Sequence, residues 1–124
     1  MRPTMETIED LVEELTQDQK QLLIDTIFYG AWGYTLAEFI YDDGLPYQYP
    51  AMGFLTSEAA QAGNFSEEEI QRLFKSIRKK LCPQNNRGEY FSYQFNWLGD
   101  GTTDIIFIHR DLAQAFEEWA WATR

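Results

Sequence analysis

The stretch that most constrains this chain is Phe65 to Leu81, where every local helix signal coincides. Ile70, Leu73, Phe74, Ile77 and Leu81 recur at i, i+3, i+4, i+7 and i+11, which puts them on one stripe of a helix. Ser66 and Glu69 form an S-x-x-E capping box, and Phe65 and Ile70 occupy the positions of a hydrophobic staple. Glu67, Glu68 and Glu69 lie at the positive end of the helix dipole, with Arg78, Lys79 and Lys80 at the negative end. A helix over 67–81 with a buried stripe and a charged outer face follows.

That helix also carries half of the lysines and arginines of an acidic chain. The net charge is −10 over 124 residues. Residues 1–71 hold 14 acids and 2 bases, whereas residues 72–87 hold 6 bases (Arg72, Lys75, Arg78, Lys79, Lys80, Arg87) and no acid. The acidic remainder serves solubility, and the basic island is what a functional account has to use. A hydrophobic share of 44% supports a packed core, and the length suits one domain spanning 1–124. No apolar run approaches a membrane span, no secretory h-region follows Arg2, and the single cysteine, Cys82, fits a reducing compartment. The expected location is cytoplasmic.

The rest of the chain reads as follows. Residues 5–15 form an acidic amphipathic helix with Ile8, Leu11, Val12 and Leu15 on one face, and Thr16 with Gln19 caps a second helix carrying Leu22, Leu23, Ile24, Ile27 and Phe28. Gly30 and Gly33 weaken that helix, and a Thr35–Glu38 capping box with Tyr34 and Phe39 at the staple positions starts a helix over 36–42. One continuous helix from Gln17 to Tyr41 is the competing expectation, so residues 5–42 are helical either way. Residues 43–54, with Pro46, Pro50, Gly44 and Gly53, read as a long loop bearing Tyr47 and Tyr49. It either binds something or covers core. A short helix at 56–62 ends at Gly63, and Pro83 stops the helix over 67–81. Pro83 to Gly88 is a polar turn. Tyr90 to Leu98 alternates, with Phe91, Tyr93, Phe95 and Trp97 on one face, and a turn at Gly99-Asp100-Gly101 leads to a return strand ending at His109. Asp111 caps a last helix over 111–123, on which Trp121 faces outward. The expected fold class is α+β, mainly helical, with a C-terminal two-stranded hairpin at 90–109 followed by a helix.

The order of a short helix, a glycine turn, a longer helix and a hairpin resembles a winged helix-turn-helix domain over residues 36–109. In that resemblance residues 56–81 are the helix-turn-helix, residues 67–81 the recognition helix and residues 36–42 the first helix. It implies DNA binding by a transcriptional regulator. The N-terminal residues of a recognition helix meet base edges, and here those are Glu67, Glu68 and Glu69, which phosphates repel.

Catalytic chemistry has little to stand on. His109 is the single histidine, at a strand end, and Cys82 sits at a helix C-terminus, where the dipole raises a thiol pKa. No zinc, EF-hand or phosphate-loop spacing occurs, and Asp100 to Asp104 fits turn chemistry. The expectation is a protein that is not an enzyme and uses no cofactor or metal. The leading functional expectation is a small non-catalytic interaction or regulatory module. It would bind a protein partner through Arg72, Lys75, Arg78, Lys79 and Arg87, with Tyr47, Tyr49 and Trp121 as aromatic anchors. A homodimer, basic island against acidic N-terminal helix, is a further partner expectation. A winged-helix DNA-binding regulator and an acidic nucleic-acid-mimicking inhibitor are the alternatives.

Overall fold

The computed structural model describes residues 4–29, 34–61 and 63–123. Its element order is α1 (Met5–Glu14), α2 (Gln17–Tyr29), β1 (Tyr34–Ile40), β2 (Pro46–Leu55), α3 (Thr56–Gln61), α4 (Glu67–Leu81), β3 (Phe91–Gln94), β4 (Ile105–His109) and α5 (Arg110–Thr123). The strands form one antiparallel sheet in the order β1-β2-β4-β3, curled into a half-barrel. The expected C-terminal hairpin is present, but as half of this sheet, and the winged-helix arrangement is not the architecture. No helix among the described residues is long and apolar enough to cross a membrane.

Both expectations for residues 34–42 are corrected: β1 is a strand, neither a separate helix nor the end of a long one. The glycine segment between α2 and β1, residues 30–33, lies outside the described residues. Seven residues are too few for a capping-box pattern to outvote pairing with a neighbour, and Ala37 and Phe39 alternate with Leu36, Glu38 and Ile40 just as well at a period of two. The loop expected over 43–54 is corrected as well, since β2 occupies Pro46–Leu55. Tyr41 N–H donates to Leu45 C=O (2.9 Å), so the bonded pairs continue through the odd residues, Phe39 with Tyr47 and Ala37 with Tyr49. Pro46 and Pro50 therefore turn their nitrogens away from β1. On that side β4 pairs only from Ala51 onward, so neither proline deprives the ladder of a donor.

The sheet has two buried faces. Phe54, Phe91, Tyr93, Ile106 and Ile108 pack under the helices, against Ile8, Leu22, Ile70, Phe74, Ile77, Leu112 and Phe116. The alternate positions Ala37, Phe39, Ala51, Leu55, Ile105 and Phe107 form a second cluster supplied by strands alone. Among the described residues this second cluster draws on no helix, and the curl of the sheet and Trp97 over Phe107 bury it. Gly53 serves that curl, because a Cβ there would stand 2.9 Å from Ile105 Cδ1 and 3.3 Å from Phe107 Cε1.

A miniature hairpin closes one end of the barrel. Asn85 and Asn86 both have positive φ (53° and 65°), and Gln84 and Arg87 exchange two backbone hydrogen bonds (3.1 and 3.0 Å), the pattern of a two-residue primed turn. This segment binds the outer edge of β3 through Tyr93 N–H to Asn86 C=O and Gly88 N–H to Phe91 C=O (both 2.8 Å). On its other side Gly88 C=O accepts Ile40 N–H of β1 (3.0 Å), and Arg87 pairs with Glu38 (3.1 Å). Gly88 is demanded there, since a Cβ would lie 2.0 Å from the Leu81 carbonyl oxygen.

The helical expectations for α1, α2, α3 and α4 agree with the structure, including the capping boxes at Thr16 and Ser66. Two C-terminal details are corrected. The alternation expected to Leu98 stops at Gln94, because Asn96 turns the chain at φ 51° and sends Trp97 onto Phe107 of the opposite face (5.4 Å). Asp111 lies inside α5 rather than capping it. The cap acceptor is His109, whose Nδ1 accepts the Asp111 N–H (3.2 Å), leaving the Asp111 carboxylate for other partners.

Candidate functional site

The residues singled out from sequence fall into separate places. On α4, Ile70, Phe74, Ile77 and Leu81 are buried, and Arg72, Lys75 and Lys79 stand exposed on the outer face. Their spacing of three and four residues keeps them on one strip. Arg78 and Arg87 do not belong to that strip. Arg78 is half-buried, donates from Nη1 to Asn86 Oδ1 (3.0 Å), lies 5.1 Å from the Phe95 ring centroid, and keeps its Nε buried without an acceptor among the described residues. Arg87 is engaged by Glu38. Both cations thus serve barrel closure. Lys80 ties α4 to the α1–α2 joint through the Glu14 carbonyl (2.8 Å) and Gln19 Oε1 (3.0 Å). Trp121 is 61% exposed on α5, away from Tyr47 and Tyr49 in sequence and on a different element.

Tyr47 and Tyr49 belong to neither α4 nor a loop. They sit on β2 at the mouth of the half-barrel, where β1 ends at Ile40, just before Tyr41, and β4 runs directly into α5 through His109, Arg110 and Asp111. The odd-number alternation of β2 places both rings on the strand-only face, and the Ala51–His109 register brings His109 beside them. His109 stacks on Tyr49 (ring centroids 4.0 Å, 10° between planes) and meets Tyr90 edge-on (5.5 Å), Phe39 (5.4 Å) and Tyr47 (6.4 Å) at an angle. Tyr41 stacks on Tyr47 (4.0 Å, 17°). Tyr41, Tyr47, Gln48, Tyr49, His109, Arg110 and Asp111 line a recess of about 510 Å³.

The polar groups of the mouth are mutually engaged. Tyr49 donates its hydroxyl proton to Asp111 Oδ2 (2.8 Å) and accepts from Arg110 Nη2 (2.9 Å). Arg110 Nε lies 3.5 Å from Asp111 Oδ1, and the guanidinium carbon stands over the Tyr49 ring at 5.2 Å. Tyr47 donates to the Glu89 carbonyl (2.8 Å), and burial pushes its phenol up to about 12. Burial likewise holds the His109 imidazole below its ordinary value, with Arg110 adding to the effect and Asp111 opposing it. An uncharged imidazole is what the Nδ1 cap requires, because a protonated ring has no acceptor nitrogen. Asp111 is held below the usual carboxylate range against the opposing pull of burial, through hydrogen bonds from Tyr49 and Arg110 and the cationic side of the site.

Sequence reasoning missed Tyr41, Tyr90, Arg110 and the role of His109. The available signal was the strand-to-helix junction His109-Arg110-Asp111, but its partners come from β1 and β2, which were not read as strands. Among the described residues no group of three or more His, Cys, Asp or Glu is arranged to hold a metal ion. Asp100 is occupied by its own turn, accepting first the Thr103 hydroxyl and then the backbone N–H groups of Thr102 and Thr103, which lowers its carboxyl to about 2. Comparison with protein families, curated proteins and solved structures gave no match.

Proposed function

We propose that the protein is a non-catalytic interaction module that binds an acidic surface of a partner protein through the outer face of α4. The observation that carries this reading is the exposed strip Arg72, Lys75 and Lys79 on a chain of net charge −10. Cations so placed attract an acidic partner at long range and fix its register at contact. Arg78 and Arg87, engaged by Asn86 and Glu38, do not contribute to the strip, and the aromatic anchors Tyr47 and Tyr49 belong to a different surface.

The two residues best suited to nucleophilic or acid–base chemistry favour a non-catalytic role. Burial pushes the Cys82 thiol up to about 12, which withholds the thiolate, and His109 is a cap within an aromatic cluster. The test is a photo-crosslinking residue placed at Lys75 in the native host, alone and combined with Arg72→Glu and Lys79→Glu. A discrete crosslinked partner that disappears on charge reversal is expected. Crosslinks unaffected by the reversal, or none at all, would overturn the proposal.

A second copy of the chain is a specific form of the same reading, because Glu6, Glu9, Asp10, Glu13 and Glu14 are exposed on α1. Such a dimer weakens with salt. Light scattering showing a monomer at low and at high salt removes the homodimer and leaves the heterologous acidic partner standing.

A further inference from the structure

The recess at the mouth of the half-barrel lies apart from α4, and its chemistry follows from the groups that line it. Both oxygens of Asp111 are taken, by Arg110 and by Tyr49. The Tyr47 hydroxyl is taken by the Glu89 carbonyl, and Nδ1 of His109 by the Asp111 amide. Beside the Gln48 amide and Nε2 of His109, ring surface and one end of a guanidinium line the recess of about 510 Å³.

The ring surface is chiefly that of Tyr41, which stacks on Tyr47 and is 46% exposed, whereas the Tyr49 ring is already covered by His109 and by Arg110. The guanidinium is that of Arg110. Nε is held by Asp111, Nη2 by Tyr49, and the carbon rests over the Tyr49 ring, whereas Nη1 has no partner among the described residues. A guanidinium held at three points keeps little of the conformational entropy that an exposed arginine loses on binding. The neighbouring rings exclude water on one side, which strengthens a charge-assisted hydrogen bond made there. A recess of this size at a barrel mouth falls within the range of small-molecule sites.

We infer that this recess binds a small planar aromatic carboxylate, its ring stacked on Tyr41 and its carboxylate on the free end of Arg110. A monoanion fits better than a phosphate ester, because the surrounding chain is acidic and a second negative charge would be repelled. A cationic aromatic is disfavoured by Arg110 itself.

The test is a proton–nitrogen NMR titration of the whole chain with indole-3-carboxylate, and in parallel with benzylamine and inorganic phosphate. Saturable shifts confined to Tyr41, Tyr47 to Tyr49 and His109 to Asp111 are expected with the carboxylate alone. Arg110→Gln should weaken binding at least about tenfold, the scale of one charge-assisted hydrogen-bond pair. Tyr41→Ala, at an exposed position that leaves the core intact, should weaken it by a smaller factor, and Lys75→Gln on α4 should leave it unchanged. If Arg110→Gln perturbs folding, Arg110→Lys retains the charge without the fork and should still lose affinity. Absence of saturable shifts with the carboxylate would overturn the inference, as would equal binding of benzylamine or phosphate, or affinity indifferent to both Arg110 variants.

Discussion

On the helix-covered face of the sheet, Phe74 reaches Tyr93 (6.3 Å) and sits among Ile70, Ile77, Leu112 and Phe116, all delivered by elements that are stable local patterns in their own right. On the other face, Phe39 is equally buried, yet its neighbours Tyr47, Ala51, Phe107 and His109 come only from strands that have to pair before any of them meet. Equal burial thus hides a difference in origin. The first face is assembled from preformed amphipathic helices, and the second exists only once the sheet has curled and the 84–88 hairpin has closed it.

Removing the ring at each centre tests that difference most severely. Phe74→Ala should destabilise the fold by about 3–5 kcal/mol, and Phe39→Ala by about 3 kcal/mol, because the cavity at Phe39 lies beside the open mouth and can be rehydrated. Denaturant midpoints measure both. An equal or larger loss at Phe39 would mean that the strand-only cluster is the stronger core. Gly88→Ala comes next. Its methyl meets the backbone oxygen of Leu81, which cannot rotate away, so a loss of about 2–3 kcal/mol is expected. Hydrogen exchange should show the Ile40 and Tyr93 amides unprotected while those of α4 stay slow. Uniform loss of protection would show that barrel closure and the helical layer are one cooperative unit.

The smallest expected effect is a pH dependence at the mouth. His109 binds its proton more weakly in the fold than in the unfolded chain, since burial lowers its value from 6.5. Its contribution is therefore complete above that pH and declines as the pH falls through 6.5 toward the folded value. Glu89 works in the opposite sense: burial first, and its hydrogen bond and charge repulsion with Asp42, raise its carboxyl, so stability from that group is lost as pH rises. Comparing unfolding midpoints between about pH 7.5 and 5.5 for the native chain and His109→Asn separates the two, because asparagine keeps a cap and does not titrate. A slope unchanged by the substitution would exclude His109 as its source.

Legibility from sequence followed the same division. The Ser66 box, the i, i+3, i+4 stripe and the charge order of α4 are local, and the structure agrees with them residue by residue. The Thr35–Glu38 box was just as good a local pattern, and it is a strand. Pro46 and Pro50 argued for a loop by a rule that holds only where a strand is needed on both sides, and β4 does not extend that far. Of the candidate binding residues, Arg72, Lys75 and Lys79 were readable as an exposed strip because the helix alone decides which way they point. Arg78 and Arg87 were not, since Asn86 and Glu38 reach them only through the closed barrel.

What the sequence by itself determined is the set of elements stabilised within one turn of helix: α1, α2, α4, their caps, and the outward direction of the cationic strip. Short-range hydrogen bonds and side-chain spacing suffice for these. Only the tertiary structure decided that residues 34–55 become two strands, that a two-asparagine turn closes a barrel, and that Tyr47, Tyr49, His109 and Arg110 share one recess. Strand identity depends on a partner strand, and here the pairing of β2 with β4 joins residues from Leu55 with Ile105 to Ala51 with His109, far apart in the chain. No local pattern carries that information.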